Sequence, residues 1–149
     1  MREKLDNIKN IAQRCLKCKK PLCKEYCPLH NNIPVILNYI NNDQIVEAKK
    51  ELLKTTNMSF ICSKLCDHEK SCYGHCALRN TSDGSIAFYE VENYLSTLIS
   101  ESDYEKISNN KIKSKIAVIG AGVSGMNVAI ELAKLGLGVT LFDKNNQIG

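Results

Sequence analysis

Two stretches decide how this chain is read: residues 14–28, RCLKCKKPLCKEYCP, and residues 61–76, ICSKLCDHEKSCYGHC. Between them they hold all eight cysteines, Cys15, Cys18, Cys23 and Cys27 in the first and Cys62, Cys66, Cys72 and Cys76 in the second. The N-terminus, MREKLDNIKNIAQR, mixes charge and apolar residues at helical spacing and lacks the apolar core of a secretory signal, so a cytoplasmic location is expected. Thiols are kept reduced there, and cysteines at short regular spacings then read as metal or cluster ligands before disulfides.

The type of metal site follows from the spacing. Zinc sites usually pair two short C-x2-C knuckles. The first group here ends in Cys27-Pro28 and approaches the bacterial ferredoxin run C-x2-C-x2-C-x3-C-P, with four residues instead of two between Cys18 and Cys23. In such runs the fourth cysteine can serve the other cluster, so the two groups are expected to interleave around two [4Fe–4S] clusters. Two zinc tetrahedra, each of four cysteines, are the competing arrangement. Arg14, Lys17, Lys19, Lys20 and Lys24 crowd the first group, either as a solvated face or as compensation for an anionic cluster.

Around the cysteines the pattern is helical. Leu5, Ile8 and Ile11 predict a helix over 3–13; Pro34 suits the first turn of another with Val35, Ile36, Leu37, Tyr39 and Ile40 inward; and a third is expected from an Asn42 or Asp43 cap, with Ile45, Val46, Ala48, Leu52 and Leu53 inward. Residues 58–80 read as a ligand loop, and Thr81–Gly84 as a turn able to cap a helix over 85–99. On that helix Ile86, Tyr89, Tyr94, Leu95 and Leu98 form the expected stripe, with Glu92 near its edge, where a glutamate is ordinarily solvated. His30, His68 and His75 read as loop histidines, and the tyrosines near the cysteines as packing.

At residue 115 the texture changes. KIAVIG is a β-branched strand, GAGVSG follows, NVAIELAKLG is an amphipathic helix, and VTLFD is a second strand. A G-x-G-x-x-G between strand and helix is the dinucleotide fingerprint. Gly120 permits the turn, Gly122 the approach of a pyrophosphate and Gly125 the packing of helix on strand, while Val123 and Ser124 open the helix whose N-terminus favours an anion. Asp143 ends the second strand, where an acid can take the adenosine ribose hydroxyls. The fold class is thus a mostly α iron–sulfur domain, 1–100, a polar linker, 101–114, and the first βαβ unit of a Rossmann-like FAD- or NAD(P)-binding domain, 115–149. One βαβ unit leaves a parallel sheet uncovered, so the chain is expected to be a piece of a longer protein.

Composition narrows the partners. A net charge of +4, without a basic face interleaved with aromatics, argues against nucleic acid, and no run of about 18 apolar residues is present to span a membrane.

The ordered combination C-x2-C-x4-C-x3-C-P, Cys62-x3-Cys66, Cys72-x3-Cys76, a helix and VIGAGVSG resembles the N-terminal part of the glutamate synthase small-chain family. That family includes the large subunit of NADH-dependent ferredoxin:NADP oxidoreductase and the N-terminal part of dihydropyrimidine dehydrogenase. The resemblance implies two [4Fe–4S] clusters in a helical domain, then an FAD domain and an inserted NAD(P)H domain. It places Cys15, Cys18, Cys23 and Cys76 on one cluster, and Cys27, Cys66, Cys72 and Glu92 on the other, with Cys62 as rival for the last place. It further implies an NAD(P)H-dependent oxidoreductase that relays electrons between FAD and a second redox subunit or domain: a glutamate synthase large subunit, a ferredoxin or a flavin partner. NAD(P)H would act through the rest of the longer protein. Asp67, where relatives commonly have Pro, and Asn57-Met58, where they have Asn-Pro, depart from the pattern. A non-catalytic cluster-bearing adaptor and a structural zinc module joined to a nucleotide-binding domain are the alternatives.

Overall fold

A computed structural model of the chain describes residues 2–100, 103 and 112–149. They fall into two compact units, divided after Ser100. The expected linker lies outside the described residues except for residue 103 and the first residues of a strand that begins at Ile112, ahead of the expected start.

The first unit is helical: α1 (Arg2–Gln13), α2 (Leu22–Glu25), α3 (Ile33–Asn41), α4 (Ile45–Leu53), α5 (Ser59–Leu65) and α6 (Phe88–Thr97). Helix α3 begins with Pro34 in its first turn, where the missing N–H costs nothing, and runs through β-branched and leucine positions. Its Ile33, Ile36, Leu37 and Ile40 are fully enclosed by Ile8, Ile11 and Ala12 of α1, Ala48 and Leu52 of α4, and Phe88, Val91 and Leu95 of α6. Each such aliphatic side chain contributes about 1.5–3 kcal/mol by leaving water. Cys27 and Cys72 belong to the same core. The unit is therefore built around its cysteines as well as its leucines.

Several details depart from the sequence reading. Helix α5 occupies part of what reads as loop, because Ser59–Leu65 closes one turn after another with Cys62 N–H on the Met58 carbonyl and Cys66 N–H on the Cys62 carbonyl. Val46 is 51% exposed, since α4 starts at Ile45 behind an uncapped Gln44 and turns Ala48 and Leu52 inward instead. Asp43 takes a left-handed conformation and pairs with Lys9 of α1. The Thr81–Gly84 turn does not cap α6, which starts at Phe88 behind Ala87; Arg14 donates to the carbonyls of Asp83 and Gly84 and ties the turn to the end of α1.

The second unit is β1 (Ile112–Ile119), α7 (Val123–Lys134) and β2 (Leu137–Phe142), with the strands parallel and Val118 opposite Leu141. Residues alternate along both strands between half-buried and exposed positions, so Ile119 at 79% and Phe142 at 50% exposure lie on the side away from Val118 and Leu141.

Candidate metal and nucleotide sites

The helical unit contains two cavities whose walls carry the cysteines. The first, of about 110 Å³, is bounded by Cys15, Cys18, Cys23 and Cys76, with Cys72, His75 and Lys20. The second, of about 60 Å³, is bounded by Cys27, Cys66, Cys72, Cys62 and Glu92, with Asn31 and His68. Cys72 and Phe88 border both. The chain crosses between them three times, from Cys23 to Cys27 and from Cys72 back to Cys76, each pair four residues apart, and then from Cys76 to Glu92. All eight sequence-predicted donors are thereby brought to two places, and Cys62 reaches the second with them.

Electrostatics repeat this division. Burial raises the Cys23 thiol to about 11, and the nearby Cys15, Cys76 and Cys18 push in the same direction. Burial also raises Cys15, reinforced by Cys18 and Cys76. In the second cavity burial raises Cys72 to about 12, with Cys27, Cys66 and Glu92 as its charged neighbours, and raises Cys62, with Glu92 next. Four thiolates so close would repel one another in a low-dielectric wall, so the thiols stay protonated until the positive charge of a coordinated metal compensates them. The donors surround cavities and not points: among the described residues no three His, Cys, Asp or Glu side chains gather closely enough for a single ion. Thiolates in sets of four around a space suit a polynuclear iron–sulfur core. His68 adds to the fit, because its buried Nε2 has no hydrogen-bond partner among the described residues.

Glu92 corrects the helix reading. It is 4% exposed and sits within the buried stripe Phe88, Val91, Glu92, Leu95, not at the edge of one, while Tyr89 and Tyr94 are only half-buried. The α6 register is set by Phe88 and Val91 fitting the core, which turns the tyrosines aside. Desolvation raises the Glu92 carboxyl to about 7, opposed by a hydrogen bond from Asn31, whose Nδ2 lies 3.4 Å from Oε1. Asn31 and Thr55, which donates to Asn31 Oδ1, are not legible as site residues in the sequence. Isolated polar residues in a loop and at a helix end carry no periodic signal.

The histidines and tyrosines pair. Tyr26 stacks on His75 with ring centroids 3.5 Å apart, and His68 stacks on Tyr89 at 4.7 Å. His75 and His68 thus form cavity walls, held by a ring on one face, whereas His30 borders neither cavity. Of the basic residues near the first group, Arg14 is committed to the 83–84 turn, and Lys17, Lys19 and Lys20 are exposed.

In the second unit Gly120, Gly122, Val123, Ser124 and Gly125 lie at the junction of β1 and α7, as expected. Gly120 is at φ +98°, closed to other residues, and a Cβ on Gly125 would lie 1.8 Å from the Gly120 carbonyl oxygen. The turn therefore needs both glycines. Asp143 ends β2 and reaches back over this turn, accepting the Ala121 N–H at 2.7 Å and the Asn145 N–H at 2.8 Å. Those two backbone bonds lower its carboxyl below the usual range.

A family model described as dihydropyrimidine dehydrogenase domain II, 4Fe-4S cluster, matches residues 2–104. The chain belongs to this iron–sulfur family. A second model, for FAD-dependent oxidoreductases, matches residues 115–149. The chain is 29% identical over 140 residues to the glutamate synthase [NADPH] small chain of Azospirillum brasilense, and 31% identical over 140 residues to that of Escherichia coli. It is 25% identical over 139 residues to the NAD-dependent dihydropyrimidine dehydrogenase subunit PreT of Salmonella typhimurium. Each match covers 93% of this chain, but only 29%, 29% and 33% of those relatives. The resemblance to the glutamate synthase small-chain family is borne out, as is a mostly helical 4Fe-4S unit followed by the start of an FAD-type α/β unit. The chain joins an iron–sulfur unit to the start of a unit of the FAD-dependent oxidoreductase type. Among the described residues no helix is long and apolar enough to cross a membrane.

Proposed function

We propose that this chain is the electron-transfer module of an NAD(P)H-dependent oxidoreductase, holding two [4Fe–4S] clusters and the pyrophosphate end of FAD in the cytoplasm. The observation that carries the reading is the sorting of donors from two sequence groups into two adjoining cavities with a common wall at Cys72 and Phe88. Cys15, Cys18, Cys23 and Cys76 would hold one cluster, and Cys27, Cys66, Cys72 and Glu92 the other. When bound, the clusters supply one-electron transfer and the flavin two-electron chemistry.

The chain's own residues do the rest. The buried thiols are protonated until metal replaces the proton, so assembly releases protons and couples to folding. Phe88, Ile33 and Leu78 give the first cavity an apolar inner wall, and such a wall tunes the potential of what it holds. For the eighth ligand Glu92 is favoured over Cys62. A carboxylate buried in an apolar helix face is costly without a metal to meet its charge, whereas a neutral thiol beside the Thr56 side chain is not. In the second unit Gly120, Gly122 and Gly125 admit a pyrophosphate to the N-terminus of α7, with Val123 and Ser124 in its first turn. Asp143 steadies the turn through Ala121 and offers its remaining lone pairs to ribose hydroxyls. The relatives are named as a chain or a subunit, which supports a second redox subunit or domain as partner.

Iron, sulfide, zinc and flavin analysis of protein purified without oxygen tests the proposal. About eight iron and eight sulfide per chain, with a brown colour that bleaches on reduction, is expected. About two zinc and no colour would establish a structural zinc module instead. Gly125→Ala should abolish flavin retention and leave iron unchanged; retention of flavin would remove the fingerprint from the site.

A further inference from the structure

Both Glu92 and Cys62 border the second cavity, so something must decide between them. Glu92 is fixed by a chain of two polar side chains. Asn31, 2% exposed, donates from Nδ2 to Glu92 Oε1, and its own Oδ1 accepts from the Thr55 hydroxyl. The ionised carboxylate of Glu92, which can only accept, settles which way the amide faces, since a turned amide would set Oδ1 against it; Thr55, also within reach of the Leu52 carbonyl, then supports Oδ1. With Oε1 engaged, Glu92 is left with Oε2 for a metal, a one-oxygen mode of binding. Cys62 has no comparable support: it stands half-buried on α5, with the Thr56 side chain as its polar neighbour. Partners of this kind orient ligands and raise affinity, and their loss typically costs about 10–100-fold in metal binding.

We propose that Asn31, held by Thr55, is the positioning residue that makes Glu92, and not Cys62, the fourth ligand of the second cavity. This rests on the two-cluster reading above. Removal of the amide deprives Glu92 of its Asn31 hydrogen bond and frees it to turn away, and Cys62 then completes the donor set. The amide thus acts as a selector between two ligands already at the cavity wall.

The test reads iron and sulfide content and the electron paramagnetic resonance of the reduced full chain, with the first cavity as internal control. Cys62→Ala should keep about eight iron and an unchanged spectrum. Asn31→Leu should also keep about eight iron, with the signal of one cluster altered by the exchange of carboxylate for thiolate. Asn31→Leu combined with Cys62→Ala should fall to about four iron, the remaining signal being that of the first cluster. Thr55→Val with Cys62→Ala, which leaves Asn31 in place but frees its amide, should show the same loss in part. Retention of about eight iron in both double variants, or an unaltered spectrum in Asn31→Leu, overturns the role of Asn31. A fall to about four iron in Cys62→Ala alone overturns the Glu92 assignment beneath it, whatever Asn31 does. Absence of iron from the unsubstituted chain would sink the two-cluster reading itself.

Discussion

The two cavities of the helical unit are built from the same kind of donor in different surroundings. The first opens outward: Cys18 is exposed, and Leu16 and Leu22 beside it are 61% and 53% exposed. The second is smaller and its donors are more deeply buried, Cys27, Cys72 and Glu92 each being less than a tenth exposed, while Leu29 at its rim is 36% exposed. Water can screen charge at the exposed Cys18, while the buried Glu92 depends on an internal partner, Asn31. The carboxylate of Glu92, 4% exposed, stands among these buried donors, and Asn31 is the partner that meets it there.

Substitutions can break this contrast. The largest effect is expected for Cys72→Ala, because Cys72 borders both cavities and belongs to the core: iron should fall from about eight to about four or fewer, with a clear drop in melting temperature. Cys18→Ala should also lose about four iron, but with a much smaller fall in melting temperature, since its side chain is exposed. Equal melting temperatures for the two variants would erase the distinction between an exposed and a buried donor.

The next effect is a pH dependence of the cluster-free chain. Burial places the Glu92 carboxyl at about 7 in the folded state against 4.5 for the ordinary group, so between those values the folded state binds more protons than the unfolded one. Its contribution to stability is therefore full below about pH 4.5 and declines as pH rises through about 7, by about 3 kcal/mol in all. Cys72 and Cys23, raised to about 12 and about 11, stay neutral in this range and do not contribute. Melting temperatures at pH 5 and pH 8 should differ for the cluster-free chain, and Glu92→Gln should flatten the difference. The smallest effect is at the open site: Arg14→Ala, which releases the 83–84 turn, should cost about 1 kcal/mol and leave the iron content unchanged.

Much of this is legible in the sequence, for reasons that differ by region. The βαβ unit can be read almost residue by residue because its glycines, strand and helix are contiguous and each answers a local backbone demand, as Gly125 does against the Gly120 carbonyl. The cysteines can be counted and their interleaving anticipated from Cys27-Pro28, but their division between cavities comes from a resemblance and not from spacing. Glu92 is misplaced by periodicity because Tyr89 and Tyr94 offer as good an apolar stripe as Phe88 and Val91, and only packing against α1, α4 and α5 chooses between them. Helix α5 escapes the sequence reading because cysteines four apart suggest a ligand loop as readily as one helical turn. Asn31 and Thr55 act only through a partner more than twenty residues away from each in the chain.

The repeated crossing of the chain between the cavities has a consequence for biosynthesis. Neither donor set is local: the first spans Cys15 to Cys76 and the second Cys27 to Glu92. A ribosome must therefore deliver α6 before the second site is whole and the 72–76 turn before the first, and an assembly factor that arrived earlier would find four neighbouring thiols belonging to two different destinations. Both sites are in this way complete only once the chain has been made as far as α6.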